Sequence, residues 1–437
     1  MSFGLIQLME KSQVAQVSSR VQHLLQPFSP HLEASFSAWK DPFDPIHNTN
    51  GYINFAVAEN KLSVDLLLEK LKHCRDIPGS VLGYDDMRGS EPFRKQIANL
   101  LETYFFHRSV DADGIFCCAG AGCALDLLFN CLLEEGDGVL LPAPYYPGFI
   151  HDIEGRARCK PVIVEPTGNH FRFQLADLDK KLSECHQSGQ PVKALLLCSP
   201  NNPLGFVFSR EELENIVSWT RQNGLQLIVD EIYGLSVFSK SSKMVSIGSV
   251  LEHLGNDVHF VWSFSKDFCM SGLRAGVIYS ENMEIRNALR FLPYFCGVSG
   301  DTQFALTKVL SDSEFVQSFI RENTNRLYET YRVHCDCLDK MGIPYVPSEA
   351  GFFIWMDCNK YMSSRTFENE RAIWQSLFEK AKVVVTPGEV CQSTQPGWFR
   401  CCFSAASPEA AKVAWNRVEQ VMSSLSVSKN DPESTRM

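Results

Sequence analysis

The stretch Ser263-Phe264-Ser265-Lys266-Asp267 decides the fold of this chain. It places one lysine between two small hydroxyl residues, directly after the apolar residues 259–262. Such a run is typical of a buried strand and predicts that Lys266 lies at a sheet edge. A lysine enclosed near other cations loses its proton readily and can form a Schiff base with a carbonyl group. Arg274 follows eight residues later, and an arginine beside serine hydroxyls suits a phosphate. The stretch predicts a site for pyridoxal phosphate, although alone it also fits a solvated lysine on a serine-rich loop.

Two further strand ends carry groups that such a cofactor needs. Residues 225–229 and 194–198 are continuous apolar runs, as expected of parallel strands covered on both faces. The first run leads into Asp230 and Tyr233, and the second is followed by Asn202. An aspartate there can keep a pyridine nitrogen protonated and so make the ring an electron sink, while the tyrosine and the asparagine can bind the ring oxygen. Asp230 as a helix cap and Asn202 as a turn residue are the alternatives, but three such strand ends together favour the cofactor.

A phosphate cradle is predicted upstream of these strands. Residues 116–118 are typical of a short strand, Gly120-Ala121-Gly122 forms a small-residue turn, and leucines follow at helical spacing. A glycine turn that opens a helix directs free backbone N–H groups at an anion. Alone, a Gly-x-Gly pattern also fits ordinary tight packing. Beside the lysine motif it indicates a phosphate site.

The order of these motifs resembles that of a known family. The motifs are Ala58-Glu59-Asn60, Pro144-Tyr145-Tyr146-Pro147-Gly148-Phe149, Asn202-Pro203-Leu204-Gly205, the lysine stretch, and Gly397-Trp398-Phe399-Arg400. Over residues 40–422 the chain resembles the fold-type-I, pyridoxal-phosphate-dependent enzymes of the class I/II aminotransferase superfamily. Within that superfamily it resembles most closely the 1-aminocyclopropane-1-carboxylate (ACC) synthases and ACC synthase-like proteins. The implied fold is α/β, with a mostly parallel seven-stranded sheet in the large domain and a smaller α+β C-terminal domain.

The resemblance also implies residue roles. Lys266 would hold the cofactor and then move the substrate α-proton, Arg400 would bind the substrate carboxylate, and Glu59 would take part in substrate recognition. The remaining residues would bind the cofactor: Asp230 at the ring nitrogen, Asn202 and Tyr233 at the ring oxygen, Tyr146 on the ring face, and Ser263, Ser265, Arg274 and the cradle Gly120, Ala121 and Gly122 at the phosphate. A dimer partner would share the site through Tyr84.

Three positions depart from the usual ACC synthase pattern. Gly122 stands where a threonine is common, which removes one hydroxyl contact to the phosphate. Tyr84 lies five residues before Gly89, as in ordinary aminotransferases, whereas ACC synthases carry their tyrosine two residues before the glycine, where this chain has Met87. Lys61 replaces a usual glutamine near Glu59, and a cation there is unfavourable for a sulfonium substrate.

Three functions follow from this sequence. The first is an ACC synthase-like lyase or related deaminase, which acts on an α-amino acid through an external aldimine and a Cα carbanion. The second is an aminotransferase that passes the amino group to a 2-oxo acid. The third is a non-catalytic protein that binds the cofactor or a metabolite for regulation.

Composition favours a cytoplasmic enzyme over other classes. The net charge of −10 across 437 residues, without a basic stripe, argues against nucleic acid as a partner. We find no apolar run of membrane-spanning length and no signal or transit pattern. The 16 cysteines lack zinc-site spacing, so we expect no metal site and reduced thiols. The expected partners are a small amino acid substrate and a second copy of the chain in a homodimer.

The expected organisation has four parts. Residues 1–62 form an N-terminal arm with several prolines, and residues 63–330 form the large cofactor-binding domain. A long amphipathic helix over residues 315–340 leads into the small domain, residues 331–422. Residues 423–437 are polar without periodicity, which predicts a disordered tail.

Overall fold

Seven strands form the central sheet of the large domain. The computed structural model describes residues 17–25 and 29–427. The strands are β2 (Ile115–Cys118), β3 (Gly138–Pro142), β4 (Lys160–Val164), β5 (Val192–Cys198), β6 (Gln226–Asp230), β7 (Val258–Ser263) and β8 (Gly276–Ser280). Their order is β2-β8-β7-β6-β5-β3-β4, and only β8 runs antiparallel to its neighbours. The predicted mostly parallel seven-stranded sheet is confirmed.

The central strands are covered on both faces, as their continuous apolar runs predicted. Along β5, Leu196 packs into the core on one face of the sheet and Leu195 and Leu197 pack into the core on the other. The same alternation occurs in β7, where Val261 lies opposite Phe260. Because successive side chains point to opposite faces, these strands bury residues on both faces, with Lys193 of β5 as the exposed exception. The parallel strands therefore end together at one edge of the sheet, which is the edge that carries polar residues.

Helices cover this sheet and continue into the small domain. They are α1 (Pro30–Lys40), α2 (Val64–Lys72), α3 (Glu91–Leu101), α4 (Ala121–Leu132), α5 (Phe149–Glu154), α6 (Leu175–Ser188), α7 (Arg210–Gln222), α8 (Ile247–Val250), α9 (Phe264–Asp267), α10 (Met283–Ala288), α11 (Gly300–Ser311), α12 (Ser313–Met341), α13 (Phe367–Ser376) and α14 (Pro408–Val427). The long helix predicted over residues 315–340 is α12. Asp312 caps its start by accepting from the Phe315 N–H, and Gly342 ends it in the left-handed conformation.

The small domain is built on an antiparallel sheet of four strands. These are β9 (Tyr345–Val346), β10 (Phe353–Asp357), β12 (Thr386–Pro387) and β13 (Trp398–Cys402), in the order β12-β13-β10-β9. A separate parallel pair joins β1 (Ile53–Asn54) to β11 (Val383–Val384). The arm is thereby attached to the small domain, and it runs on from there towards the polar edge of the large sheet.

The chain ends differ from the predicted organisation in one respect. Helix α14 continues to Val427, so residues 423–427 of the predicted disordered tail are helical. Residues 428–437, with residues 1–16 and 26–28 of the arm, lie outside the described residues. Across the described part of the chain, no helix combines the length and the apolar character needed to cross a membrane.

Candidate active site

A cavity of about 280 Å³ lies where the parallel strands end. It contains Lys266 after β7, Asp230 at the end of β6 and Asn202 after β5, as the strand-end argument predicted. The other predicted residues that line it are Ala121, Gly122, Tyr146, Tyr233, Ser263, Ser265 and Arg274. Six lining residues were not predicted: Leu125, Phe149, Asp152, Cys198, Ile232 and Ser271.

Lys266 lies in the first turn after β7, with its amine inside the cavity. Its Nζ donates to the carbonyl oxygen of Ala58 at 2.5 Å. Burial is the main reason that the pKa of Lys266 falls to about 8; Arg400 and Arg274 also lower it, against Cys402 and Glu59. An amine with this pKa is neutral for a useful fraction of the time near neutral pH, so it can act as a nucleophile or a base.

Asp230 lies deep in the cavity, with 2% of its surface exposed. Its carboxyl accepts one backbone N–H, from Ile232 at 3.3 Å, and it forms no ion pair with any described residue. Burial raises the pKa of Asp230 to about 8. A buried carboxyl without a cation is a costly arrangement unless a cationic group binds beside it. The position therefore suits a protonated ring nitrogen.

Two side chains beside Asp230 form a hydrogen-bonded pair. The Asn202 amide Nδ2 donates to the hydroxyl of Tyr233 at 3.4 Å, and both residues are buried. Tyr146, by contrast, is 37% exposed and lies at the cavity mouth, where its ring contacts Phe149 edge-on at 5.3 Å. The cavity thus offers two donors within its wall and one aromatic ring at its opening.

The predicted phosphate cradle forms the opposite end of the cavity. Gly120, two residues after the end of β2, caps α4 with φ +93°, and α4 starts at Ala121, so the first free N–H groups of α4 face the cavity. A Cβ at Gly120 would lie 2.5 Å from Nη2 of Arg274, so a side chain there would displace the guanidinium, and the positive φ itself favours glycine. On the other side, the Ser263 hydroxyl accepts from the Ser265 N–H at 3.0 Å. Backbone amides, serine hydroxyls and a guanidinium therefore line the same cavity.

Arg400 joins the small domain to the cavity wall. It lies on β13 with 4% of its surface exposed, and its guanidinium stacks over the Phe353 ring at 4.7 Å. Nη1 donates to Oδ1 of Asn202 at 3.0 Å, while Nη2 donates to the carbonyl oxygen of Ala56 at 2.7 Å. Both nitrogens of the fork are thus held in one plane beside the cavity, as bidentate binding of a carboxylate requires.

Four predicted residues are not among those that line the cavity: Gly120 and Arg400, described above, and Tyr84 and Glu59. Tyr84 is 99% exposed and does not contribute to this cavity. The Glu59 carboxylate pairs with Lys61 at 3.7 Å, and its backbone oxygen accepts from the Ser404 hydroxyl at 2.8 Å. Glu59 is therefore at the rim, near Lys266, with its charge partly offset by Lys61.

The sequence signals for the missed residues differ in strength. Cys198 ends β5 and follows from the same strand-end argument that found Asp230. Asp152 lies one helical turn after Phe149 of the aromatic motif, a spacing that places both on one face of a helix. The carbonyls of Ala56 and Ala58 leave no side-chain signal, and only the Ala58-Glu59-Asn60 motif pointed to that segment.

Comparisons with known proteins agree with this geometry. The family model for aminotransferase class I and II matches residues 50–418. An ACC synthase from Cucurbita pepo is 33% identical over 94% of this chain and 88% of its own length. An ACC synthase from Arabidopsis thaliana is 34% identical over 89% of this chain and 83% of its own length.

Solved structures share the fold. Aspartate aminotransferase from Thermus thermophilus with maleate superposes with a TM-score of 0.78 at 21% identity, over 93% of this chain and all of that chain. Aspartate aminotransferase from Thermotoga maritima gives a TM-score of 0.76 at 24% identity, again over 93% of this chain and 100% of that chain. With the family model covering most of the sequence, the chain belongs to the aminotransferase class I and II family.

Proposed function

We propose that this protein is an ACC synthase-like lyase that removes the α-proton of an amino acid substrate. Its family membership makes it a pyridoxal-phosphate-dependent enzyme, as the sequence predicted. One observation carries the proposal: Lys266 and Arg400 bind carbonyls of the same short segment, at Ala58 and Ala56. A group that binds a carboxylate and a group that takes a proton are therefore held beside each other.

The cavity fits the cofactor at both ends. Asp230 is a buried carboxyl without a cation among the described residues, and it would bind the ring nitrogen. Asn202 and Tyr233 would hold the ring oxygen, and Tyr146 would cover the ring face. The cradle at 120–122, with Ser263, Ser265 and Arg274, would bind the phosphate. When bound, pyridoxal phosphate supplies an electron sink for the electron pair left at Cα.

The protein's own groups then orient the substrate and move the proton. Arg400 would hold the α-carboxylate in the plane of its guanidinium, which fixes the direction of the Cα–H bond. Lys266, with a pKa of about 8, would accept the α-proton and return it to a leaving group or a product carbon. Glu59 at the rim would face the substrate side chain, and Lys61 beside it would disfavour a cationic one.

An aminotransferase is the second candidate. The tyrosine spacing before Gly89 favours it, because Tyr84 stands where ordinary aminotransferases carry this residue. The ACC synthases are 32–34% identical over about nine-tenths of the chain, whereas these aspartate aminotransferases are only 21% and 24% identical and support the fold alone. This difference favours the lyase.

The deciding experiment uses purified holoenzyme without any 2-oxo acid. It is mixed with a panel of amino acids that includes S-adenosylmethionine, and products are followed by mass spectrometry. Continued turnover, with release of methylthioadenosine or of ammonia and a 2-oxo acid, is the expected result. A single burst of 2-oxo acid, one per protomer, that resumes only after a 2-oxo acid is added would instead identify an aminotransferase. Lys266→Ala is the control variant, and turnover that survives it would exclude the proposed site.

We also propose that the protein forms a homodimer with shared active sites. Two segments expose aromatic side chains, among them Tyr84, 99% exposed, and Phe291, 77% exposed. The segment with Tyr84 lies against the start of α11, since a Cβ at Gly300 would lie 2.7 Å from the Val81 carbonyl oxygen. Light scattering should give twice the monomer mass of 49.3 kDa. Tyr84→Ala should weaken cofactor binding without changing that mass, and an unchanged affinity would place Tyr84 outside the shared site.

A cytosolic location is proposed on the cysteine content. All 16 cysteines are free thiols, and most are buried, which suits a reducing compartment. Cell fractionation with an antibody to the chain tests this location. Recovery of the protein in a membrane-enclosed, oxidising compartment would contradict it.

A further inference from the structure

The cavity contains a carboxyl that the catalytic roles above leave unused. Asp152 lies on α5, one turn after Phe149, and its side chain lines the cavity. Its Oδ1 lies so near α4 that a Cβ at Gly122 would be 2.9 Å from it. Gly122 is the second residue of α4, within the phosphate cradle. Because Gly122 has no side chain, nothing at this position stands between the Asp152 carboxyl and the cradle.

Asp152 has no partner in the described part of the chain. Its backbone N–H donates to Gly148 within α5, but its carboxylate forms neither a hydrogen bond nor an ion pair with residues 17–25 or 29–427. Arg156, which follows α5, pairs instead with Asp126 at 3.2 Å. A largely buried carboxyl with its acceptors and donor free is available for a ligand in the cavity.

The surroundings favour the protonated form of this carboxyl. Burial, aided by the negative charge of Asp126, raises the pKa of Asp152 to about 7. Asp230 and Tyr146 also face it, and Asp152 in turn contributes to raising the pKa of each, after burial. The cation Arg274 stands on the Gly120 side of the cradle, away from Gly122. Near neutral pH, Asp152 can therefore present an O–H donor.

We propose that Asp152, in its protonated form, donates a hydrogen bond to the phosphate of bound pyridoxal phosphate beside Gly122. It thus supplies the donor that the missing threonine hydroxyl would have given. This inference rests on the proposed cofactor site. A hydrogen bond from a carboxylic acid to a phosphate oxygen is charge-assisted, and it exists only while the carboxyl keeps its proton.

Proton linkage gives the inference a distinctive signature. The bound phosphate holds the Asp152 proton more tightly than the free cavity does, so the complex carries more protons than the free protein. Affinity for pyridoxal phosphate should therefore fall as pH rises through about 7, by up to about tenfold per pH unit. An amide in place of the carboxyl donates a hydrogen bond at every pH, so Asp152→Asn should remove this part of the pH dependence of cofactor affinity.

The test titrates cofactor-free protein with pyridoxal phosphate between pH 6.5 and 8.5, followed by visible absorbance. Asp152→Asn is compared with wild type and with Glu154→Gln, which changes an exposed carboxylate on the same helix. Pyridoxal without phosphate serves as the second ligand, and the difference between the two ligands isolates the phosphate contact. Asp152→Ala measures how much the Asp152 side chain contributes to cofactor affinity at pH 6.5.

We expect wild type and Glu154→Gln to lose about tenfold more affinity for pyridoxal phosphate than Asp152→Asn between pH 7 and 8. Asp152→Ala should bind it about tenfold or more weakly at pH 6.5, and all variants should bind pyridoxal alike. Equal pH dependence in wild type and Asp152→Asn overturns the inference, as does an equal loss for pyridoxal. If Asp152→Ala does not fold, the comparison of Asp152→Asn with wild type still tests the inference. Failure of wild type to bind the cofactor at any pH would instead overturn the proposed function.

Discussion

Replacing Arg400 by lysine tests whether the small domain binds the substrate carboxylate. The guanidinium presents two nitrogens, which donate to Asn202 at 3.0 Å and to the Ala56 carbonyl at 2.7 Å. A lysine ammonium keeps the charge but has no planar fork, so it can direct only one donor along these lines. The expected loss is one charge-assisted hydrogen bond to the substrate, about 1.5–3 kcal/mol, which weakens amino acid binding about ten- to hundredfold.

The assay separates substrate from cofactor. Amino acid is titrated into the holoenzyme and pyridoxal phosphate into the cofactor-free protein, each followed by visible absorbance. Arg400 contacts Asn202 but does not line the cavity, so cofactor affinity should stay close to that of wild type. Arg417→Lys is the matched control, because Arg417 holds the arm through the Gly51 carbonyl at 2.9 Å, outside the cavity. Equal weakening of both ligands in Arg400→Lys would refute the reasoning and make Arg400 a structural residue.

Three further predictions concern the cofactor site and the turn that carries Lys266. Because the neutral amine of Lys266 is the reactive form and its pKa is lowered to about 8, the rate of cofactor incorporation should rise from pH 7 and level off near about pH 9; a rate still climbing at pH 10 would contradict this in stopped-flow measurements. Gly120→Ala should weaken pyridoxal phosphate binding in an absorbance titration, since its Cβ would lie 2.5 Å from Arg274 at φ +93°; unchanged affinity would mean that the cradle is elsewhere. Asp267→Ala should lower the free energy of unfolding by about 3 kcal/mol or more, because it leaves three buried donors, Trp262 Nε1 among them, without their acceptor; a urea midpoint equal to wild type would show that water replaces them.

Local sequence patterns were sufficient for the residues at strand ends. Lys266, Asp230 and Asn202 each follow an apolar run, and parallel strands in one sheet end at the same edge. Their meeting in one cavity therefore needs no knowledge of distant contacts. Helix ends are less clear in the sequence: α10 ends at Ala288, although no glycine or proline follows it before Pro293. Pro293 lies in a separate turn, Leu292–Phe295, and a proline disfavours helical conformation in the residue before it.

Contacts between distant segments could not be read from the sequence. The Arg400–Ala56 hydrogen bond joins residues 344 positions apart, and the β1–β11 pair joins Ile53 to Val383. Such pairings depend on the path of the arm across the small domain. The spacing of apolar residues within a short segment does not specify that path. Asp152 was missed for a related reason. Its spacing from Phe149 indicates that both side chains lie on the same face of α5. Only the packing of α5 against α4 shows that this face contacts Gly122.

The segment with Ala56 and Ala58, whose carbonyls accept hydrogen bonds from Lys266 and Arg400, must be present in any active form of the protein. Ala56 and Ala58 precede every strand of the central sheet, so a transcript that starts translation after residue 60 would still encode the whole large-domain sheet and the small-domain sheet of four strands. It would lack the two carbonyls that separate the amine from the guanidinium. It would also lose β1, which pairs with β11, and the buried side chains of Ile53 and Phe55, so the same truncation that removes the site would open the core of the small domain.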